Sequence, residues 1–262
     1  MPAPAAFAER TPGLNNDLQI LGTMSYGNEQ FTVCSGRDPA LVADMTAMAT
    51  QDPFMRRMVP NDSREPDGRF LSPKNFEDWY AKGRYLVSYR DEQGRLAGIV
   101  AHGESSLAKK ARNIEAYCIG TDTPFQAPSD AVHTMAIRIP GAHRDKPKVE
   151  AEGMSFARRV LSVGQSLYVA KMAEQGVQVS SIWAETNRYQ YDPATNARSE
   201  NGALYLYQGV GYERVATYTN PDPANPEERV LIINRRLSPE RAVGIGAALL
   251  QYQFAGAMGS RA

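Results

Sequence analysis

The sequence predicts an α/β domain built around one central sheet, and three stretches predict it. Residues 84–90 (RYLVSYR) and 95–104 (RLAGIVAHGE) are apolar runs separated by Asp91-Glu92-Gln93-Gly94, a turn ending in glycine, and they read as a hairpin. Residues 155–175 place Phe156, Val160, Val163, Leu167 and Ala170 at helical spacing, with Gly176 just beyond, and read as the main helix. Residues 213–218 and 229–237 are strand-like and joined by the Pro-rich NPDPANPEE, which suits a hairpin loop.

The remaining elements follow in order. Residues 1–30 are rich in Pro, Gly and Asn and read as an N-terminal arm. Residues 31–34 form a short strand. Asp38-Pro39 then opens a helix, with Pro at its first position and Leu41, Val42, Met45 and Met48 on one face as core. Residues 59–68 are a loop, and 73–83 a second helix carrying Phe76, Trp79 and Tyr80. After the hairpin, 105–130 is polar, with a short strand around 114–119. Strands follow at 132–140, stopped by Pro140-Gly141, and at 179–185, then a short helix over 201–208. An Ala/Gly-rich helix from 239 to about 254 closes the chain. The organisation expected is an arm (1–30), one domain (31–237) and a helical extension (238–262).

Bulk properties exclude little beyond extremes. The 262 residues suit one large domain, and 29 Lys and Arg balance 29 Asp and Glu, so net charge favours neither nucleic acid nor an anionic membrane. The basic run Lys109-Lys110-Ala111-Arg112 reads as a solvated helix face. Two cysteines, Cys34 and Cys118, form no disulfide framework, and no metal-ligand spacing is present. The start lacks the basic flank and apolar core of a signal peptide, and no apolar run reaches membrane-spanning length, so the expected location is cytoplasmic.

The most informative stretch is residues 182–212, IWAETNRYQYDPATNARSENGALYLYQGVGY. It reads as a strand ending in Thr-Asn, a polar loop, a short helix and a Gly-aromatic exit. Ala203-Leu204-Tyr205-Leu206-Tyr207 followed by Gly211-Tyr212 resembles the A-x-x-L-Y-x-x-x-G-F signature of the GNAT N-acetyltransferase superfamily. The resemblance implies a GNAT-like mixed central sheet over residues 31–237, whose splayed fourth and fifth strands are here 132–139 and 179–185. It implies acetyl-CoA as cosubstrate, held along the strand edge at Ile137, Arg138 and Ile139 and by Asn187. Tyr207 would be the general acid at the thioester sulfur. No metal and no covalent enzyme intermediate are expected.

One part of the family pattern is altered. The family has R/Q-x-x-G-x-G/A after the fourth strand, where helix amides hold the pyrophosphate. This chain runs PGAHRDKPKVEAEGMSFARR instead, offering Arg144, Lys146 and Lys148 for charge, and Gly153 and Ser155 for the helix start. A second string, Arg241, Gly244 and Gly246, matches the loop pattern near the C-terminus but reads as a packing helix or a contact between copies. Glu104 and Glu115 are the carboxylates expected nearest the acceptor, as candidate bases. His102 and His133 sit in strands and read as core or edge residues, whereas His143 precedes the basic loop and is a candidate to contact phosphate. Tyr189, Tyr191 and Asp192 either line an acceptor pocket or form a surface flap. The function expected is transfer of an acetyl or other acyl group from CoA to an amine in a ternary complex. The alternatives are a degenerate GNAT-like binding protein and a long-chain acyltransferase of the acyl-homoserine-lactone or N-acyl amino acid synthase type.

Overall fold

A computed structural model describes residues 17–51, 85–103, 107, 115–128, 131–144, 146, 153–191, 197–219, 228–235 and 250–251. The loop expected at 59–68, the helix at 73–83 and the Arg241-Gly244-Gly246 string lie outside them.

Strands β1 (Gln19–Tyr26) and β2 (Glu29–Ser35) form a hairpin around Gly27-Asn28, with Gly27 in the left-handed region at φ 59°. This corrects the expected arm, whose last residues belong to the sheet. Met24 and Tyr26 point inward while Thr23 and Ser25 are only half buried, an alternation that outweighs the turn-rich composition. Asp38 starts α1 (Pro39–Gln51): its carboxylate accepts from the Ala40 amide at 3.0 Å and pairs with Arg90. Leu41 and Met45 are buried, as their spacing predicts.

The central hairpin is β3 (Tyr85–Arg90) and β4 (Leu96–Gly103). The Asp91 carboxylate accepts from the Gln93 and Arg95 amides at 3.0 and 2.9 Å, which fixes the turn. Next come the two-residue β5 (Tyr117–Cys118), then β6 (Ala131–Arg138), the single turn α2 (Gly141–Arg144) and the main helix α3 (Phe156–Glu174). Ser155 caps α3, and Gly176, at φ 73°, follows its end. After α3 the chain forms β7 (Ser181–Asn187), the small hairpin β8 (Tyr189–Tyr191) and β9 (Arg198–Glu200), and α4 (Gly202–Gln208). It closes with β10 (Glu213–Thr219), β11 (Glu228–Asn234) and β12 (Leu250–Gln251).

Among the described residues, ten strands make one sheet in the order β12-β1-β2-β3-β4-β6-β7-β11-β10-β5. Every pairing is antiparallel except β6 with β7, which α3 connects as a crossover. Leu250 and Gln251, expected in a C-terminal helix, instead pair with Met24 and Thr23 at the sheet edge. The edge of β1 offers hydrogen bonds that local helix propensity does not match.

Helix α3 covers one face of the sheet. Phe156, Val160, Val163 and Leu167 pack with Tyr85, Val87, Val100, Val132 and Ile182 in the main core. The approach is close because glycines stand at the crossing. A Cβ on Gly164 would fall 2.9 Å from Val100 Cβ, and one on Gly98 3.3 Å from a Val160 methyl. The opposite face holds a second cluster that includes Trp183, Leu231 and Ile233.

Candidate active site

The parallel pair is short. β6 and β7 pair only at Ala131–Ser181, Val132–Ile182 and His133–Trp183. Beyond that point β6 stays paired with β4 through Arg138, while β7 follows β11 through Asn187. The two strands therefore part, and each turns a backbone edge toward the opening.

A bulge accompanies the parting. Ala101 pairs with Ala136 and His102 with Thr134, leaving Met135 as the extra residue on β6. The bulge reverses which residues face α3. Val132 lies in the α3 core before it, and Ile137 and Ile139 after it. Thr134 shares the α3 face: its hydroxyl lies 3.3 Å from His102 Nδ1, and the His102 ring stacks on Tyr168 of α3. Arg138, cross-strand from Ile99, is left on the opposite face.

Helix α4 flanks the opening. Asn201 caps it by accepting from the Ala203 amide at 3.0 Å, and its side-chain amide donates to Thr186 Oγ1 at 3.2 Å, tying the helix to the end of β7. Leu204 and Tyr207, three residues apart, are buried together, whereas Tyr205 is 53% exposed. The Tyr207 ring meets Tyr212 edge-on, with centroids 5.0 Å apart. The Tyr212 hydroxyl lies 2.8 Å from Thr134 Oγ1, at the first position past the last β6–β7 pair. Tyr207 thus sits beside the opening at 5% exposure, and its phenol interacts electrostatically with Arg138 on the other face. Burial pushes the Tyr207 phenol up to about 12, with Arg138 pulling it back. Burial also lowers Arg138, to about 10, so it is a cation at neutral pH.

The α3 N-terminus carries the features an anion needs. Its first turn contains no acidic residue, and its leading N–H groups have no intrahelical acceptor. Gly153, at φ 69°, has open space where a Cβ would lie. Ser155 Oγ accepts from the Arg158 amide at 3.4 Å. Arg158 bridges α3 and α4: it donates to the Tyr205 carbonyl at 3.2 Å and lies against Gly209, where a Cβ would fall 2.1 Å from Nε. Arg159 donates to the Ser25 carbonyl at 2.6 Å. The helix start, Ser155 and Arg158 are the groups here that could hold a diphosphate in place of the glycine loop of the family pattern; Arg159 is buried and engaged with the Ser25 carbonyl. Arg144 donates to the Ile139 carbonyl at 3.4 Å. Lys146, expected to face phosphate, pairs instead with Glu29 and lies over the rings of Phe31 and Phe156. The β1–β2 hairpin brings Glu29 to it.

The other candidates divide. Asn187 ends β7 beside the opening. Glu115 is exposed beside β5, which lies three strands beyond β7, about 14 Å away. Within the described part of the insertion β5 pairs with β10, which keeps Glu115 away from the opening and from the role of base there. Glu104 and Asp192 lie outside the described residues. Tyr189 is flanked by the guanidiniums of Arg188 and Arg198, at 5.1 and 3.3 Å from its ring centroid, and Tyr191 ends the same small strand. His133 stacks on Trp183. His143 faces Asp91 across 3.8 Å and packs on Phe31 and Phe156, rather than standing ready for phosphate. Sequence reasoning missed Thr134 and the hydroxyl of Tyr212. It also missed Arg158, although Ala157-Arg158-Arg159 directly follows the helix start. Among the described residues no group of three His, Cys, Asp or Glu stands ready to hold a metal, and no helix is long and apolar enough to cross a membrane.

Among the described residues, a mostly antiparallel sheet, one parallel pair that parts at a bulge and a short tyrosine-bearing helix beside the opening give the GNAT-like arrangement that the motif around Tyr207 leads one to expect. No protein-family model matches the chain, and no curated protein matches it. Among solved structures it is similar to spermidine N-acetyltransferase from Vibrio cholerae in complex with CoA and spermine. That match has 13% identity and a TM-score of 0.46, covering 81% of this chain and 98% of the other. A protein from Acinetobacter baylyi ADP1 classed as an acetyltransferase matches at 13% identity and a TM-score of 0.48, over 82% of this chain and 97% of that one.

Proposed function

We propose that the chain is an N-acyltransferase that moves an acetyl or related acyl group from CoA to an amine. The observation that carries this reading is the parting of β6 and β7 with Tyr207 beside it. A thioester lying in the opening meets backbone N–H groups on the free edge of β6, which can polarise its carbonyl. The neutral amine attacks the carbonyl carbon, the C–S bond breaks, and the sulfur takes the phenol proton of Tyr207. The nitrogen releases its surplus proton to solvent, from which Tyr207 is reprotonated. A phenol near pKa 12 is protonated throughout the neutral range, as a proton donor must be. Asn187 and the edge at Ile137, Arg138 and Ile139 would hold the pantetheine. The first turn of α3, Ser155, Arg158 and Arg144 would hold the diphosphate.

Thermal denaturation with acetyl-CoA tests the reading. A ligand at one hundred times its Kd stabilises the native state by about 2.7 kcal/mol, so Tm should rise with concentration. An unmoved Tm at millimolar acetyl-CoA would instead favour a GNAT-type fold that no longer takes CoA. Thiol release over a panel of amines then tests transfer.

A further inference from the structure

Thr134 and Tyr212 join the two halves of the site. Thr134 directly follows the last β6 residue paired with β7 and precedes the bulge at Met135. Tyr212 follows α4; its amide donates to the Tyr207 carbonyl at 3.1 Å, and its ring meets the Tyr207 ring edge-on. The 2.8 Å bond between the two buried hydroxyls therefore ties the tyrosine helix to the strand edge. From Thr134 the chain of bonds runs inward to Nδ1 of His102, its cross-strand partner, whose fully buried ring stacks on Tyr168 of α3. Among the described residues, His102 Nε2 has no hydrogen-bond partner. A core ring that leaves one nitrogen unsatisfied is costly, which argues that the bond made by the other has a use. The signature that residues 203–212 resemble ends in Phe, so packing needs only the ring at Tyr212. This chain adds a hydroxyl and supplies it with a partner.

We propose that the Tyr212 hydroxyl, anchored on Thr134 and through it on His102, is the positioning group that aims Tyr207 at the thioester. The inference rests on the reading of the opening as the place where the thioester lies. Among the described residues, no hydrogen bond holds the Tyr207 hydroxyl, so its direction follows from whatever holds its ring. A general acid must be aimed closely, since a misplacement of about 1 Å can cost about 10²-fold in rate. The Tyr212–Thr134 bond fixes the acid on α4 relative to the free edge of β6, whose amides meet the carbonyl oxygen. Proton donor and carbonyl site thereby keep one separation.

The test is steady-state thiol release from acetyl-CoA, with the fastest acceptor found among amino acids, polyamines and aminoglycosides. Rates are compared at a temperature where calorimetry shows every variant folded, so that lost stability does not register as lost kcat. Tyr212→Phe should lower kcat on the order of tenfold, with KM for acetyl-CoA unchanged. Thr134→Val should do the same, and Thr134→Ser, which keeps the hydroxyl, should recover most of that loss. The double variant Tyr212→Phe/Thr134→Val should be no slower than either single one, because all three lose the same bond. The inference is overturned if Tyr212→Phe keeps its full kcat, if the two single losses multiply in the double variant, or if Thr134→Ser is as slow as Thr134→Val. A slow Tyr207→Phe beside an undiminished Tyr212→Phe would overturn it while leaving the transferase reading in place. If the full chain releases no thiol at all, the transferase reading falls first and takes this inference with it.

Discussion

His133 and Trp183 are the last residues that β6 and β7 share, and their rings lie stacked with centroids 3.9 Å apart. The stack clamps the parallel pair at the point where it ends. On one side of it the strands are hydrogen-bonded neighbours; on the other, β6 belongs to β4 and β7 to β11. The bulge at Met135 follows within two residues of the clamp, so the start of the opening is fixed by strand register rather than by loop conformation.

Tyr207→Phe should lower kcat by about 10²–10⁴-fold, the range of a lost general acid. Tm should change little, because the ring packing on Tyr212 survives. Tyr205→Phe, on the exposed side of the same helix, should leave kcat unchanged. Equal rates for the two variants would remove Tyr207 from the chemistry.

Gly164→Ala should destabilise the protein despite alanine's better helix propensity. The new Cβ would lie 2.9 Å from Val100 Cβ, a branch point that cannot swing aside. Overpacking of this kind costs about 1–3 kcal/mol, against about 1 kcal/mol gained in propensity. Urea unfolding should show a lower midpoint, and an unchanged or higher one would contradict the packing described.

The contrast between what the sequence did and did not disclose follows interaction range. Helix α3 was legible because Ser155 and Gly176 mark its ends locally, and the β3–β4 turn because Asp91 and Gly94 do the same. Tyr207 was legible through the motif around it. The β1–β2 hairpin was hidden by a Gly- and Asn-rich composition, although Met24 and Tyr26 alternate correctly. Leu250-Gln251 carries helical composition yet pairs with β1, a tertiary contact that propensity does not encode. The face of Arg138 depends on a bulge that no alternation pattern records. Lys146 pairs with Glu29, 117 residues away in sequence, a contact that the local basic pattern does not encode.

Stability should fall as pH drops from about 6.5 toward 3. Burial holds the His102 imidazole down to about 3 in the folded state, against an unfolded value near 6.5. Above 6.5 both states are neutral and this group adds no pH dependence. Below 6.5 the unfolded chain takes a proton that the native state refuses, so up to about 1.4 kcal/mol is lost per pH unit. His143, also lowered by burial, acts in the same direction. Denaturant midpoints at pH 7, 6 and 5 should slope less steeply in His102→Gln, which can still bond Thr134. Identical slopes would show that His102 titrates normally.

A crystal structure of the protein with bound CoA tests the central claim most directly. The claim requires the pantetheine thiol to lie between β6 and β7 within hydrogen-bonding distance of Tyr207 Oη, with the diphosphate over the first turn of α3. A CoA molecule bound elsewhere, with the opening filled by side chains and Tyr207 untouched, would contradict it.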